Sequence, residues 1–169
     1  MANTGDLLWR PSASFRSASG MAGFMDWLAT ARSRSFTTYD ELWAWSTRDI
    51  EGFWQAIWDY YGVQSTAPYE CVLRAREMPG AKWFPGAQVN YAQHLLAPGQ
   101  DTDVAVHAAG ERVPLRSITR GELRRAVWTC ATSLRELGVR PGDRVAAYVA
   151  NVPDALVAFL ATTSIGAVW

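Results

Sequence analysis

The side chains able to do acid–base, nucleophilic or metal chemistry are few in this chain and far apart. Lys82 is the single lysine, and His94 and His107 are the only histidines. Neither histidine has a partner at triad or ligand spacing, and Cys71 and Cys130 match no metal or redox pattern. We expect packing or surface roles for the histidines and buried reduced thiols for the cysteines. We therefore assign no catalytic, cofactor-binding or metal-binding residue.

A second group of polar residues has possible ligand contacts but simpler explanations. Asn151 follows a predicted strand, where open α/β sheets place ligands, but capping the next helix is the favoured interpretation. Asp143 lies in a Pro-Gly-Asp turn and is expected to bond the local backbone. Arg120, Arg124 and Arg125 could meet an anion, yet a solvated helix face is commoner.

Charge and hydrophobicity exclude several functional classes. The 16 basic residues balance the 16 acidic ones, so the chain lacks the charge footprint of a nucleic-acid or anionic-membrane partner. The N-terminus has no apolar run of signal-peptide length, and residues 155–168 form an interrupted stretch too short to span a bilayer. These features predict a cytoplasmic protein with neither partner.

The N-terminal half is rich in aromatic residues at helical spacing. We predict a loosely ordered start followed by three helices. The first spans Met21–Arg32, the second is opened by a capping box at Thr38–Glu41, and the third spans Asp49–Tyr61. The aromatic stripe could stack sugars or Pro-rich peptides. A helical layer that packs on a larger body is the favoured explanation, because a buried face demands this spacing.

The middle of the chain is irregular. We predict a short strand over Tyr69–Ala75, turns at Pro79-Gly80 and Pro85-Gly86, and a helix over Asn90–Leu96 with Asn90 as its N-cap. Trp83 and Phe84 are expected to plug against a larger domain. The Pro98-Gly99-Gln100 stretch resembles a linker. The predicted segments are a loosely ordered 1–35 with one helix, 36–97, and 98–169.

Regular α/β alternation follows the linker. Strands Val104–Ala108 and Val113–Ile118 form a predicted hairpin around Gly110-Glu111-Arg112, and the Thr119–Glu122 capping box opens a helix of about 18 residues. Strand Arg144–Ala150, helix Pro153–Ser164 and a strand from Ala167 then predict the opening of a mostly parallel sheet. The fold class is α/β, with the sheet incomplete. Its open edge predicts a fragment that self-associates or completes its core with more chain.

Two stretches carry a family resemblance. The first covers roughly residues 36–97 and includes the string MPGAKWFPGAQVNYAQHLL. It resembles the N-terminal extension of short-chain acyl-CoA synthetases, in particular their acetoacetyl-CoA branch. The second runs from Ile118 to Trp169 and includes ELGVRPGDRVAAYVANVPDA. It is similar to the opening of the large domain of adenylate-forming acyl-CoA synthetases.

The resemblance implies an acid–thiol ligase. ATP and acetoacetate would give an acyl-adenylate and pyrophosphate with Mg²⁺, and the CoA thiolate would then give acetoacetyl-CoA and AMP. The family's phosphate loop, Thr-Ser-Gly-Thr-Thr-Gly-x-Pro-Lys, does not occur here, and Lys82 matches no catalytic lysine. We therefore expect these residues to bind no cofactor and to be inactive alone, with ATP, Mg²⁺ and CoA used by the intact enzyme and the remainder of its catalytic domain as partner.

Two alternatives remain open at this point. One keeps the enzyme class but changes the acid to acetate, propionate or a longer chain. The other is a stand-alone Trp-rich binding or regulatory module, for which the 9 tryptophans argue.

Overall fold

The computed structural model describes Gly5, residues 7–111 and residues 113–169. The chain divides into two compact units, each interrupted once in sequence. The first unit is formed by the described residues of Met1–Val63 with Tyr69–Ala87, and the second by Gln64–Pro68 with Gln88–Trp169.

The first unit is mainly helical. Its helices are α1 (Ala13–Ser17), α2 (Gly20–Arg32), α3 (Tyr39–Arg48) and α4 (Ile50–Tyr60), and its short antiparallel pair is β1 (Leu73–Ala75) with β2 (Lys82–Trp83). Side-chain oxygens of Ser12, Ser19, Thr38 and Asp49 cap these four helices. The three predicted helices and the Thr38–Glu41 capping box are present. Helix α1 was not predicted, because its five residues, ASFRS, are too few to show an apolar period.

Aromatic and aliphatic side chains from three helices form the core of the first unit. Its buried residues are Phe24, Leu28, Leu42, Trp45 and Ala56. The Trp45 ring stacks on Phe36 with centroids 5.3 Å apart and meets Phe53 edge-on at 5.7 Å. The aromatic stripe therefore packs largely on itself, as helical spacing predicts.

Asp49 joins α3 to α4 through both carboxylate oxygens. Trp45 Nε1–H donates to Oδ2 at 2.9 Å, and the Gly52 backbone N–H donates to Oδ1 at 3.0 Å. The Trp45 bond, followed by the Gly52 bond, holds the pKa of Asp49 below its usual range. One carboxylate thus caps α4 and satisfies the indole N–H of a core residue.

Replacing Asp49 with alanine is expected to lower the free energy of unfolding by about 2 kcal/mol at pH 7, because a cap is lost and a mostly buried indole N–H is orphaned. Because the pKa of Asp49 is lower in the folded state, the stabilisation is fully present when the pH is above the pKa of an unfolded-state aspartate, about 4. It is lost as the pH falls through the lower, folded-state pKa of Asp49. Urea titrations should show a gap between wild type and Asp49→Ala at pH 7 that narrows at pH 3. Exposed Asp26→Ala is the control, and a gap independent of pH would contradict the account.

The second unit combines a β-hairpin with three helices. Its elements are α5 (Tyr91–Leu96), β3 (Val104–Gly110), β4 (Val113–Thr119), α6 (Arg120–Glu136) and α7 (Pro153–Ser164). Strands β3 and β4 pair antiparallel, which confirms the predicted hairpin; Arg112 of its predicted turn lies outside the described residues. Asn90 caps α5 and Thr119 caps α6, both as predicted.

Helices α6 and α7 pack together around the core of the second unit. The buried residues are Ala92, Leu123, Val127, Ala131, Leu160, Ala161, Ile165 and Ala167. The α6 capping box is complete: Thr119 N–H donates to Glu122 Oε2 at 2.8 Å, and Glu122 N–H donates to Thr119 Oγ1 at 3.2 Å. Hydrogen bonds from Thr119 hold the pKa of Glu122 below its usual range.

The α/β class is confirmed, but the two predicted parallel strands, Arg144–Ala150 and the one from Ala167, are joined by only a single β-bridge. Arg144 and Val168 form a single parallel bridge, in which Val145 N–H donates to the Val168 carbonyl and Val168 N–H to the Asp143 carbonyl, both at 2.8 Å. Residues 146–150 form no strand, and Tyr148 is fully exposed. A parallel strand is stabilised by hydrogen bonds to a neighbour along its length, and in the described part of the chain residues 146–150 pair with no strand.

Candidate functional site

An aromatic cluster in the first unit contains the two rings predicted to plug against a larger domain. Trp83 lies 5.7 Å from Trp54, and Phe84 lies 4.5 Å from Trp58 and 5.2 Å from Tyr69, between ring centroids. Within this unit the two rings therefore pack on aromatic residues of α4 and on Tyr69. The contacts hold the segment after β2 against α4. They involve indole and phenyl rings together with the Tyr69 phenol, whose hydroxyl accepts a hydrogen bond from Gln55.

Phe84 holds an unusual backbone conformation in that segment. Its φ of 44° lies in the left-handed region, which costs a bulky residue roughly 1–3 kcal/mol. The Phe84 N–H donates to the Val72 carbonyl at 2.8 Å, and the following Pro85 carbonyl accepts from Glu70 N–H at 2.8 Å. These bonds and the ring contacts hold a conformation that the sequence Phe-Pro-Gly alone would not adopt.

Helices α2, α3 and α4 surround an apolar cavity of about 170 Å³ in the first unit. Its lining residues are Gly20, Met21, Phe24, Tyr39, Leu42, Trp43, Ser46, Phe53, Ile57 and Tyr61. The Ser46 hydroxyl donates to the Trp43 carbonyl at 2.8 Å, so it is already engaged. No charged group lies in its wall, so the cavity is suited to a small apolar group.

The second unit has a larger groove of about 470 Å³ between the hairpin and the start of α7. Its polar lining residues are His107, Arg116, Asn151 and Asp154. The prediction that Asn151 caps α7 is wrong: Val152 is the N-cap, no side chain bonds the helix end, and Pro153 begins the helix. Proline has no N–H to satisfy, so the helix start has less need of a side-chain cap.

His107 in this groove has a hydroxyl neighbour. Its Nδ1 lies 3.1 Å from Ser117 Oγ, and the two residues are opposite each other across the hairpin. A nucleophile activated by histidine needs a third group that orients the ring. In the described part of the chain no carboxylate hydrogen-bonds His107, so the pair is a cross-strand contact on an exposed surface.

The remaining predicted candidates have structural partners. The Gln64 N–H donates to His94 Nε2 at 3.1 Å, and Asp143 accepts from the Arg140 N–H at 2.7 Å within its turn. Cys71 and Cys130 are free thiols, half-buried where full burial was expected. Arg124 is no solvated side chain: its guanidinium donates to the backbone carbonyls of Leu96, which ends α5, and of Pro98 and Gly99, which follow it. Nothing in the pattern of the sequence indicated this role.

Lys82 is exposed on β2. Across the described ranges, no group of three or more His, Cys, Asp or Glu side chains is arranged to hold a metal ion. None of the helices described is both long and apolar enough to cross a membrane.

Two family models match adjacent parts of the chain. The acetyl-coenzyme A synthetase N-terminus matches residues 39–95, and the AMP-binding enzyme family matches residues 97–169. The two matches meet at the end of α5. The first stretch of the sequence resemblance also ends there, at about residue 97, whereas the second begins at Ile118.

Individual relatives agree with these matches. Acetoacetyl-coenzyme A synthetase of Rhizobium meliloti (strain 1021) is 35% identical over 96% of this chain and 25% of its own length. Malonamoyl-CoA synthetase of Penicillium aethiopicum is 37% identical over 97% of this chain and 23% of its own length.

A solved structure extends the similarity to three dimensions. The acetoacetyl-CoA synthetase from Streptomyces lividans superposes with a TM-score of 0.88 and 41% identity, over 96% of this chain and 26% of that one. The chain thus spans about a quarter of the length of the relatives it matches. Its residues 97–169 match the AMP-binding enzyme family, and the chain is similar over nearly its whole length to the N-terminal region of acetoacetyl-CoA synthetases.

Proposed function

We propose that this chain is the N-terminal part of an ATP-dependent acetoacetate–CoA ligase. The observation that carries the proposal is the 41% identity and TM-score of 0.88 to an acetoacetyl-CoA synthetase across 96% of the chain. In the proposed reaction, a carboxylate oxygen of acetoacetate attacks the α-phosphorus of ATP and releases pyrophosphate. The CoA thiolate then attacks the acyl carbon of the adenylate and releases AMP.

Under this proposal the 169 residues contain the N-terminal extension and the start of the catalytic domain, and they supply none of the reacting groups. No Gly- and Ser/Thr-rich phosphate loop occurs in the sequence, and Lys82 lies on a short exposed strand of the first unit. Mg²⁺, ATP and CoA would be bound by residues of the intact enzyme outside this stretch. The segments 1–35, 36–97 and 98–169 would then be a leading segment, the N-terminal extension and the start of the large domain, in a cytoplasmic enzyme.

The exposed apolar segment after Arg144 supports the proposal that further strands of a larger domain cover it in the intact enzyme. Tyr148 and Val149 are exposed at 107% and 61%, and no charged residue lies between Arg144 and Asp154. In the intact enzyme, further strands of the large domain would cover this edge. The 169-residue chain alone is expected to self-associate there, and light scattering at several concentrations tests this: a monomer at all of them would contradict it.

The identity of the carboxylic acid substrate is the more specific part of the proposal. Acetoacetate and the acid of a malonamoyl thioester both carry a carbonyl carbon one methylene away from the carboxylate. Relatives named for both compounds match this chain at 35% and 37% identity. A carboxylate with such a β-carbonyl is therefore the substrate class, with acetoacetate as the favoured member.

Thioester formation by the product of the intact reading frame tests the choice of acid. The panel is acetoacetate, malonamate, butyrate, propionate and acetate, each with ATP, Mg²⁺ and CoA. Butyrate is the matched control, since it has the chain length of acetoacetate without the β-carbonyl. Acetoacetate should give the highest kcat/KM, and a β-carbonyl worth one or more hydrogen bonds should favour it over butyrate by at least roughly tenfold. Preference for acetate or propionate would instead assign another short-chain ligase.

The alternative of a stand-alone aromatic binding module has weaker support. It would need its rings free for a ligand, but Trp45, Trp58 and Phe84 contact other aromatic rings of the same unit. Two features favour it: the high count of tryptophans and the small apolar cavity beside α3.

A further inference from the structure

The stretch after α5 has the sequence of a flexible linker, Pro-Gly-Gln, but the structure bonds it firmly to α6. Arg124 Nε donates to the Leu96 carbonyl at 2.8 Å. Its Nη2 lies 2.9 Å from the Pro98 carbonyl, 3.0 Å from that of Gly99 and 3.2 Å from that of Ala97. One guanidinium therefore reaches four successive carbonyls: that of Leu96 at the end of α5, that of the C-cap Ala97, and those of Pro98 and Gly99 beyond the helix.

The chemistry of the contact suits arginine and no other side chain. The last carbonyls of a helix lack intrahelical partners and carry the negative end of the helix dipole. Guanidinium offers five N–H donors in a fixed planar fork, and Nη1 of Arg124 also pairs with the Asp101 carboxylate. A lysine ammonium has the charge but lacks the fork, so it could not satisfy the same set of acceptors.

Backbone bonds and close packing reinforce the same stretch. Gly121 N–H donates to the Asp101 carbonyl at 3.0 Å, and Arg120 N–H to the Asp103 carbonyl at 2.8 Å. Gly99 has φ of 82°, and a Cβ there would lie 2.5 Å from Arg120 Nε. The stretch thus lies against the first turn of α6, and the positive φ of Gly99 favours glycine at that position.

We infer that Arg124 locks the junction between the two family-matched regions, so that α5 and α6 move as one body. Helix α5 ends the region that matches the acetyl-coenzyme A synthetase N-terminus, up to residue 95, and α6 lies in the region that matches AMP-binding enzymes, from residue 97. The boundary in sequence is therefore not a hinge. The inference rests on contacts within the second unit and does not depend on the proposed substrate.

Hydrogen exchange on the 169-residue chain tests the lock. The amides of Ala97, Gln100 and Asp103 are bonded within the stretch, to the Gln93 carbonyl, the Asp103 carboxylate and the Gln100 carbonyl. Arg124→Lys is expected to speed their exchange by about tenfold or more, since it removes several charge-assisted hydrogen bonds. The amides of α7 should exchange at the wild-type rate, which separates local opening from global loss of stability.

Two further variants complete the test. Arg125→Lys makes the same chemical change at the exposed neighbouring position and should leave every rate unchanged. Arg124→Ala should open the stretch at least as much as Arg124→Lys; if it does not fold, the lysine variant alone decides. Wild-type exchange at Ala97, Gln100 and Asp103 in Arg124→Lys would overturn the inference, and so would an equal acceleration in α7. Neither result depends on whether the intact enzyme uses acetoacetate.

Discussion

Replacing Trp45 with alanine is expected to lower the free energy of unfolding of the first unit by about 3–5 kcal/mol, the usual cost of truncating a buried large aromatic residue. The Trp45 side chain is buried between Phe36 and Phe53, and the guanidinium of Arg34 lies 4.8 Å from its ring centroid. Its indole N–H also bonds Asp49. Truncation therefore removes apolar burial, two aromatic contacts, a cation–π contact and a hydrogen bond together.

Two variants separate these contributions when unfolding is followed by urea titration. Trp45→Phe keeps an aromatic ring but loses the bond to Asp49, so it should cost clearly less than Trp45→Ala. Trp43→Ala removes an indole from the same helix where it is 57% exposed, and it should change stability by less than about 1 kcal/mol. Equal losses for Trp43→Ala and Trp45→Ala would show that the core is misplaced.

The second large effect is expected at Leu160 of α7, whose side chain is fully buried in the core that α6 and α7 share. Leu160→Ala should lower the free energy of unfolding of the second unit by about 2–5 kcal/mol, because it removes buried apolar atoms and leaves a cavity. Circular dichroism during urea denaturation measures the change.

Leu115 provides the matched control for Leu160. It lies on β4 with 71% of its surface exposed, so Leu115→Ala makes the same chemical change without a cavity and should cost less than about 1 kcal/mol. A loss below about 1 kcal/mol for Leu160→Ala would contradict the assignment of α7 as a central element of this core.

Local signals made most of the helices and the hairpin predictable. The Thr38–Glu41 and Thr119–Glu122 capping boxes mark helix starts through hydrogen bonds that span only a few residues, and both are present. The apolar spacing of α4 and α6 likewise depends on the geometry of one helix. Such features need no knowledge of the rest of the chain.

Features that depend on distant partners were not predictable. The strand over residues 144–150 satisfies local β propensity, but a strand exists only where a neighbour pairs with it. Asn151 is a good cap by residue type, yet Pro153 sets the helix start one residue later. The role of Arg124 depends on carbonyls more than twenty residues earlier, and no spacing rule on a helix reports such a contact. A functional site could not be predicted for a different reason: the sequence contains no group of catalytic residues at a spacing that indicates one.

ATP–pyrophosphate exchange tests the proposed ligase function, because it reports adenylate formation without the thioester step. The assay compares the 169-residue chain with the product of the intact reading frame, each with and without acetoacetate. We expect acetoacetate-dependent ATP–pyrophosphate exchange by the longer product and none by the 169-residue chain. Exchange catalysed by the 169 residues alone would contradict it, and so would a longer product that exchanges with none of the acids in the panel.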